Sequence, residues 1–355
     1  MPAAAQFLPD VDSVEKERGV ELEVCQCPRC GLVQLSGDPV PYYKQVVRAA
    51  GFSEEMTQFR KRQFADFIGW FSLEGKKIVE IGCGRGEYLS ILAKLNVEAY
   101  GVEYSQDAVD HCVKEGLRVA RGFLESEKDS LADAPFDGFL MMNFLEHLPD
   151  PGSSLTGIGA NLAGRAAGLV EVPNFDMILA NNLFSEFIGD HLFYFTKETL
   201  TSTLSRNGFE VVDCREEWHG YILSARVIKR PPLDLAGFCE RQSKLESEVN
   251  EYLGRFGANE VAAWGAGHQA LAFMALAGLA GKIRYVVDSA PFKQGKYTPA
   301  THIPIVSADS LRSAPVKAVI IMAASYSDEV ARIIREKFSG KIDLAILRDH
   351  GLEYL

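Results

Sequence analysis

Apolar residues along this chain change period several times, and each change marks an element. Over Glu54–Phe71 the positions Met56, Phe59, Phe64, Phe67, Ile68 and Phe71 recur at helical spacing. Lys77-Ile-Val-Glu-Ile81 is a strand-like run that enters a glycine-rich turn, after which Leu89, Leu92 and Leu95 space a helix. Residues 99–103 form the next strand, 109–114 a helix, 136–142 a buried strand and 169–172 another. Strands alternating with helices predict a parallel sheet with right-handed crossovers. Residues 209–212 and 220–228 finish that sheet.

Pro231-Pro232 cannot continue a helix or a central strand, and an amphipathic helix follows over about 235–256. A second strand–turn–helix starts at Val261-Ala-Ala-Trp-Gly265, with strands at 283–288, 316–323 and 342–347. Upstream, residues 1–20 are polar and lack a period, so they read as a weakly ordered lead-in. Val20-Glu-Leu-Glu-Val24 alternates as a short strand, and Cys27-Pro-Arg-Cys30-Gly31 turns into Leu32-Val-Gln-Leu35. The predicted organisation is α/β in three parts. A small N-terminal hairpin module takes 1–45, a doubly wound sheet domain 46–230, and a second Rossmann-like domain 231–355.

Composition narrows the partners. The chain has 355 residues, a length better suited to two cores than one. A formal charge of −11 argues against a general nucleic-acid or anionic-membrane binder, since both need a dense positive footprint. With no long apolar run and no signal-peptide pattern at its start, the chain reads as cytoplasmic. Cys83, Cys112, Cys214 and Cys239 are scattered singly, as reduced thiols are.

The first glycine turn carries the chemistry. Glu80 precedes Gly82, Gly84 and Gly86, and glycines there let a ligand approach the backbone closely. A dinucleotide fingerprint wants a small residue at 87, where Glu87 stands. Pyrophosphate beside Glu80 and Glu87 would be repelled; a cationic sulfonium would not. Glu103 ends the next strand, where a carboxylate can take both ribose hydroxyls. Tyr104 follows it, Gly122-Phe123 falls where an adenine would lie, and Asn143-Phe-Leu-Glu146-His147 follows the fourth strand at the reaction rim. Glu80, Gly82, Cys83, Gly84, Gly86, Glu103, Tyr104, Phe123 and Asn143 are thus the candidate cofactor-binding residues.

These motifs, over about residues 77–150, resemble class I S-adenosylmethionine (SAM)-dependent methyltransferases. Over nearly its whole length the chain also resembles the sugar C-methyltransferases that act on nucleotide-linked keto-deoxysugars. The likeness rests on Cys27-Pro-Arg-Cys-Gly-Leu-Val-Gln34, on Asp190-His-Leu-Phe-Tyr-Phe-Thr196 and on His219-Gly220. It continues through Asp288-Ser-Ala-Pro-Phe-Lys-Gln-Gly-Lys-Tyr-Thr-Pro299 and Thr301-His-Ile-Pro-Ile305. The resemblance implies a zinc-binding N-terminal module, a SAM domain, a Rossmann-like domain that helps close the acceptor site, and a role in deoxysugar biosynthesis. It further implies a histidine base that removes the proton next to a sugar ketone, and the family's two histidines fall on His191 and His219. Glu216 and Glu217 precede His219 and could raise its basicity; Glu146 is a further catalytic candidate.

The chain departs from the family where Tyr-x-Glu-His-Gly-Gly is usual, since it reads Glu216-Glu-Trp-His-Gly-Tyr221. A catalytic Tyr expected shortly before Ser53 is also missing from that register. O- or N-methylation of a sugar nucleotide or secondary metabolite therefore stays open, as does non-catalytic SAM or nucleotide binding. Cys25, Cys27 and Cys30 are candidate zinc ligands, but no Cys or His precedes them, so a hairpin keeping the knuckle shape without metal is expected. Gly265-Ala-Gly267-His-Gln-Ala270 followed by Asp288 fits a dinucleotide pattern, read here as glycines packing a helix onto a sheet. Lys293, Lys296, Tyr297 and His302, on a Pro- and Gly-rich loop, are the candidate acceptor-binding residues. The expected partner is a small acceptor, with no nucleic acid and no membrane; the oligomeric state stays open.

Overall fold

The structure, a computed structural model, describes residues 1–2, 8–45, 53–338 and 341–355. The chain divides into two compact units, Met1–Pro232 and Leu233–Leu355. The expected boundary between residues 45 and 46, and the register of the missing Tyr, run into residues outside those described.

In the first unit β1 (Val24–Gln26) and β2 (Val33–Leu35) form an antiparallel hairpin around the Cys27–Gly31 turn. Then come α1 (Glu54–Phe71), β3 (Lys77–Ile81), α2 (Leu89–Leu92), β4 (Glu98–Glu103), α3 (Gln106–Lys114) and β5 (Val119–Arg121). They are followed by β6 (Phe136–Met142), α4 (Pro151–Ala160), β7 (Leu162–Pro173), α5 (Phe175–Ala180), β8 (Phe193–Tyr194) and α6 (Lys197–Arg206). β9 (Phe209–Glu217) and β10 (Ile222–Lys229) close the unit. The main sheet has the order β5-β4-β3-β6-β7-β10-β9, and β10 alone runs against its neighbours. Strand order reverses at β3, and in open α/β sheets that reversal opens a ligand crevice at the carboxyl ends of the strands.

Side-chain alternation sorts the sheet's two faces. Ile78 of β3 and Leu140 and Met142 of β6 join Phe64, Phe67, Ile68, Leu89 and Leu92 in one core. Val79, Ile81, Phe139 and Met141 point the other way, against Leu155 and Ile158 of α4 and Leu200 and Leu204 of α6. Helices on both faces explain why these strands read as continuous apolar runs rather than alternating ones. Three elements differ from expectation. The N-terminal strand covers Val24–Gln26 rather than Val20–Val24. The helix after the glycine turn ends at Leu92 rather than reaching Leu95, and the short β8 joins β1 and β2 in a separate three-stranded sheet.

The second unit comprises α7 (Ala236–Leu253), β11 (Val261–Trp264), α8 (His268–Leu276), β12 (Val286–Val287), β13 (Ile305–Val306) and α9 (Ser310–Ser313). It ends with β14 (Ala318–Ile321), α10 (Ser327–Lys337), β15 (Asp343–Arg348) and β16 (Gly351–Tyr354). Its sheet runs β13-β12-β11-β14-β15-β16, parallel except for the last strand. No helix among the described residues is long and apolar enough to cross a membrane.

Candidate active site

The carboxyl ends of β3, β4 and β6 open onto a cleft. Its wall includes Gly82, Gly84, Glu103, Tyr104, Phe123 and Asn143. Gly82 sits at φ +69°, and a Cβ there would stand 2.7 Å from the Phe144 ring, so only glycine lets the turn pass beneath that ring. The Glu103 carboxylate accepts the amides of Gly84 (2.9 Å) and Ser105 (2.8 Å), which fixes it at the mouth of the turn. Phe123 meets Tyr104 (6.1 Å) and Phe144 (5.9 Å) edge-on, making an aromatic wall for a planar ring. These features fit SAM: a backbone that can be approached closely, a carboxylate fixed beside the turn, and an aromatic wall.

Three candidates lie elsewhere. Glu80 is fully buried beneath the turn and is not on the cleft wall. Cys83 is equally buried, its thiol raised in pKa by a hydrogen bond with Cys112 and by burial, so it packs the core rather than facing a ligand. Gly86 gives room to Leu117, whose Cδ1 a Cβ would meet at 2.5 Å. The carboxylates that flank the turn are therefore Glu103 and Glu87, which comes within 3.5 Å of a Cβ built on Gly84. Lys44 went unnoticed in the sequence: its ammonium lies 4.8 Å over the Phe123 ring, paired with Glu125 at 2.7 Å. The run Tyr42-Tyr-Lys44 was its only signal.

Beyond β6, Glu146 and His147 are buried, and His147 lines the cleft. His191 comes to them from the loop before β8, its ring 4.7 Å from that of His147. Burial pushes His147 down to about 4, and burial together with His147 pushes His191 down to about 3. The three-stranded sheet holds this loop: Leu35 donates its amide to the Leu192 carbonyl at 3.0 Å, and Leu192 donates its own to the Glu146 carbonyl at 2.8 Å.

His219 lies in the turn between β9 and β10. Since β10 runs against β7, that turn falls at the carboxyl end of β7, on the same rim as the glycine turn. Trp218, His219 and Gly220 all have positive φ, a strained run for two non-glycine residues. Asn174 braces it by donating to the Gly220 carbonyl at 2.7 Å, and Trp218 packs on Phe59 at 5.3 Å. The imidazole is exposed, with Glu55 3.8 Å from Nε2. The expectation that Glu217 serves His219 is corrected here. Glu217 binds Arg215 at 2.8 Å, because residues two apart on a strand share a face while His219 lies past the strand's end.

Cys27 and Cys30 share the knuckle turn, whose amides lower the Cys27 thiol. Cys25 sits on β1, and the three thiols do not gather into a cluster able to hold an ion among the described residues. In the second unit Lys293 donates to the Asp288 carboxylate and to the Ala266 carbonyl, both at 3.0 Å, which leaves one of its three N–H bonds. Lys296, Tyr297 and His302 are exposed on one loop pinned by the Tyr297–Pro304 bridge.

Residues 52–213 match a family model described as a methyltransferase domain, and residues 233–343 match a C-methyltransferase C-terminal domain. The C-methyltransferase NovU of Streptomyces niveus is 24% identical, over 93% of this chain and 86% of that enzyme. A ubiquinone biosynthesis O-methyltransferase of Methylococcus capsulatus is 40% identical over 89 residues, 23% of this chain and 37% of that enzyme. A SAM-dependent methyltransferase structure from Aquifex aeolicus is 17% identical, covering 46% of this chain and 88% of that one with a TM-score of 0.39.

Proposed function

We propose, for a chain that belongs to the SAM-dependent C-methyltransferases, that the acceptor is a nucleotide-linked keto-deoxysugar and that His219 removes the proton from the carbon to be methylated. SAM, when bound, supplies an electrophilic methyl group. Gly82 and Gly84 would hold its methionine end, Glu103 its ribose, and Phe123 with Tyr104 its adenine.

One observation carries the choice of base. His219 stands exposed on a strained, braced turn at the carboxyl edge of the sheet, whereas His191 is half-buried and pushed down to about 3. A proton beside a ketone needs a base that binds it near neutral pH, and the lowered pKa of His191 does not meet that requirement. Glu55 is placed to accompany the imidazolium, a contact both partners share with water and so worth little on its own. Lys296, Tyr297 and His302 are the second unit's candidates for the acceptor. The seven free cysteines suit a reducing, cytoplasmic setting.

The second reading, O- or N-methylation of a sugar nucleotide or secondary metabolite, draws on Trp218. It packs on Phe59 where the resembled family has a glutamate, which removes one polar group from the acceptor side. Supplying nucleotide-linked keto-deoxysugars with methyl-labelled SAM decides between them. A new carbon–methyl signal that disappears in His219→Asn supports the proposal. A label on oxygen or nitrogen, or no product from any keto-sugar, overturns it.

A further inference from the structure

We propose that Glu146, His147 and His191 form a binding site for a first-row divalent cation at the edge of the donor cleft. Among the described residues this is the cluster of ligating side chains that can surround one ion: one atom from each lies within 4.8 Å of the others. His147 Nε2 and Glu146 Oε1 are 3.9 Å apart. That is too long for a hydrogen bond and somewhat wider than the roughly 3.4 Å between two atoms that each sit about 2.1 Å from a tetrahedral ion, so the side chains draw in by a few tenths of an ångström to close on it.

The surroundings are those of a ligand set. His147 donates Nδ1–H to the Asp190 carbonyl at 2.7 Å; a carbonyl only accepts, so the lone pair is left on Nε2, the nitrogen on the Glu146 side. Ligating histidines are commonly fixed through their other nitrogen in this way. The residue that supplies the carbonyl is itself held out of water. Asp190 is 1% exposed, and its carboxylate has no hydrogen-bond partner among the described residues. Leu192, hydrogen-bonded to Glu146, keeps His191 in place from the other side.

Two imidazoles and one carboxylate suit zinc, iron(II), cobalt, nickel or manganese better than magnesium or calcium. Three protein ligands also leave a position open, and His147 itself lines the cleft. The use of that position, to take an oxygen of the acceptor, rests on the function proposed above; the ion site itself does not.

The test uses full-length protein carrying Cys27→Ser and Cys30→Ser, so that the knuckle thiols bind nothing, stripped with a chelator and titrated with Co²⁺ alone. One saturable equivalent with visible ligand-field bands is expected, and Glu146→Gln and His191→Ala should each weaken it at least tenfold while keeping the wild-type circular dichroism. Absence of saturable uptake, or an affinity unchanged in both variants, overturns the site. Should His191→Ala fail to fold, the near-isosteric Glu146→Gln decides alone. Full turnover in the stripped enzyme would overturn the acceptor role, whereas the methylated atom is read separately by the labelling experiment.

Discussion

Arg60 on α1 and Glu171 on β7 meet as an ion pair with neither side chain open to water. Gln63 donates to the same carboxylate, and the guanidinium lies 4.6 Å over the Tyr88 ring, so one buried group ties the outer helix to the strand that leads into Asn174. Breaking a buried pair from one side leaves an uncompensated charge, at a cost of about 3–5 kcal/mol. Glu171→Gln should lower denaturant stability by that order. The double change Arg60→Met with Glu171→Leu should cost less than the single one. Equal losses would show that shape rather than charge matters here.

Gly82→Ala meets two penalties, the left-handed torsion at about 1–2 kcal/mol and the collision with Phe144 at about 1–3 kcal/mol. Gly84 has positive φ too, but a Cβ there comes no nearer than 3.5 Å to its neighbours. Unliganded Gly82→Ala should therefore melt well below Gly84→Ala, and calorimetry should show SAM binding weakened at least tenfold in Gly82→Ala. Matching melting points would mean that the Phe144 ring yields freely.

For His219→Asn, kcat should fall about a hundredfold or more with SAM affinity unchanged, the usual contribution of a positioned base. Glu55→Gln, a contact with both partners exposed, should cost less than about 1 kcal/mol of transition-state stabilisation. A His219→Asn enzyme with normal kcat would place the base elsewhere.

In the second unit, burial alone would raise the Asp288 carboxyl, but the amides of Ala290 and Ala266 and the Lys293 ammonium outweigh it and hold it below its ordinary value. The folded protein thus binds that proton less readily than the unfolded chain. The stability it contributes is present above the ordinary carboxylate pKa of about 3.9 and is lost as pH falls below it. Asp288→Asn should destabilise the protein by about 1–3 kcal/mol at neutral pH, and the gap from wild type should narrow in unfolding experiments below about pH 4. A gap independent of pH would assign the effect to packing.

The sequence disclosed what is local. Lys77–Ile81 and Phe136–Met142 read correctly because strands covered on both faces are apolar throughout, and the glycine turn was legible because Gly82, Gly84 and Gly86 answer to backbone torsion. It failed where function depends on which way a side chain leaves the backbone. Glu80 and Cys83 sit among the glycines in sequence yet face the core, and Glu217 turns to Arg215 because of strand parity. Contacts between distant segments were out of reach as well. Nothing near residue 146 announces residue 191, and Lys44 reaches the aromatic wall from outside every recognised motif.

The three-stranded sheet sets an order of events in folding. Val33 pairs with Tyr194 across nearly half of the chain, through a contact of very few hydrogen bonds. Such a long loop is entropically costly to close on so small a return, so this sheet gathers only after the main one has drawn its ends together. It should be the last part of the first unit to assemble and the first to open, with the Leu35 and Leu192 amides exchanging with solvent long before those of β6.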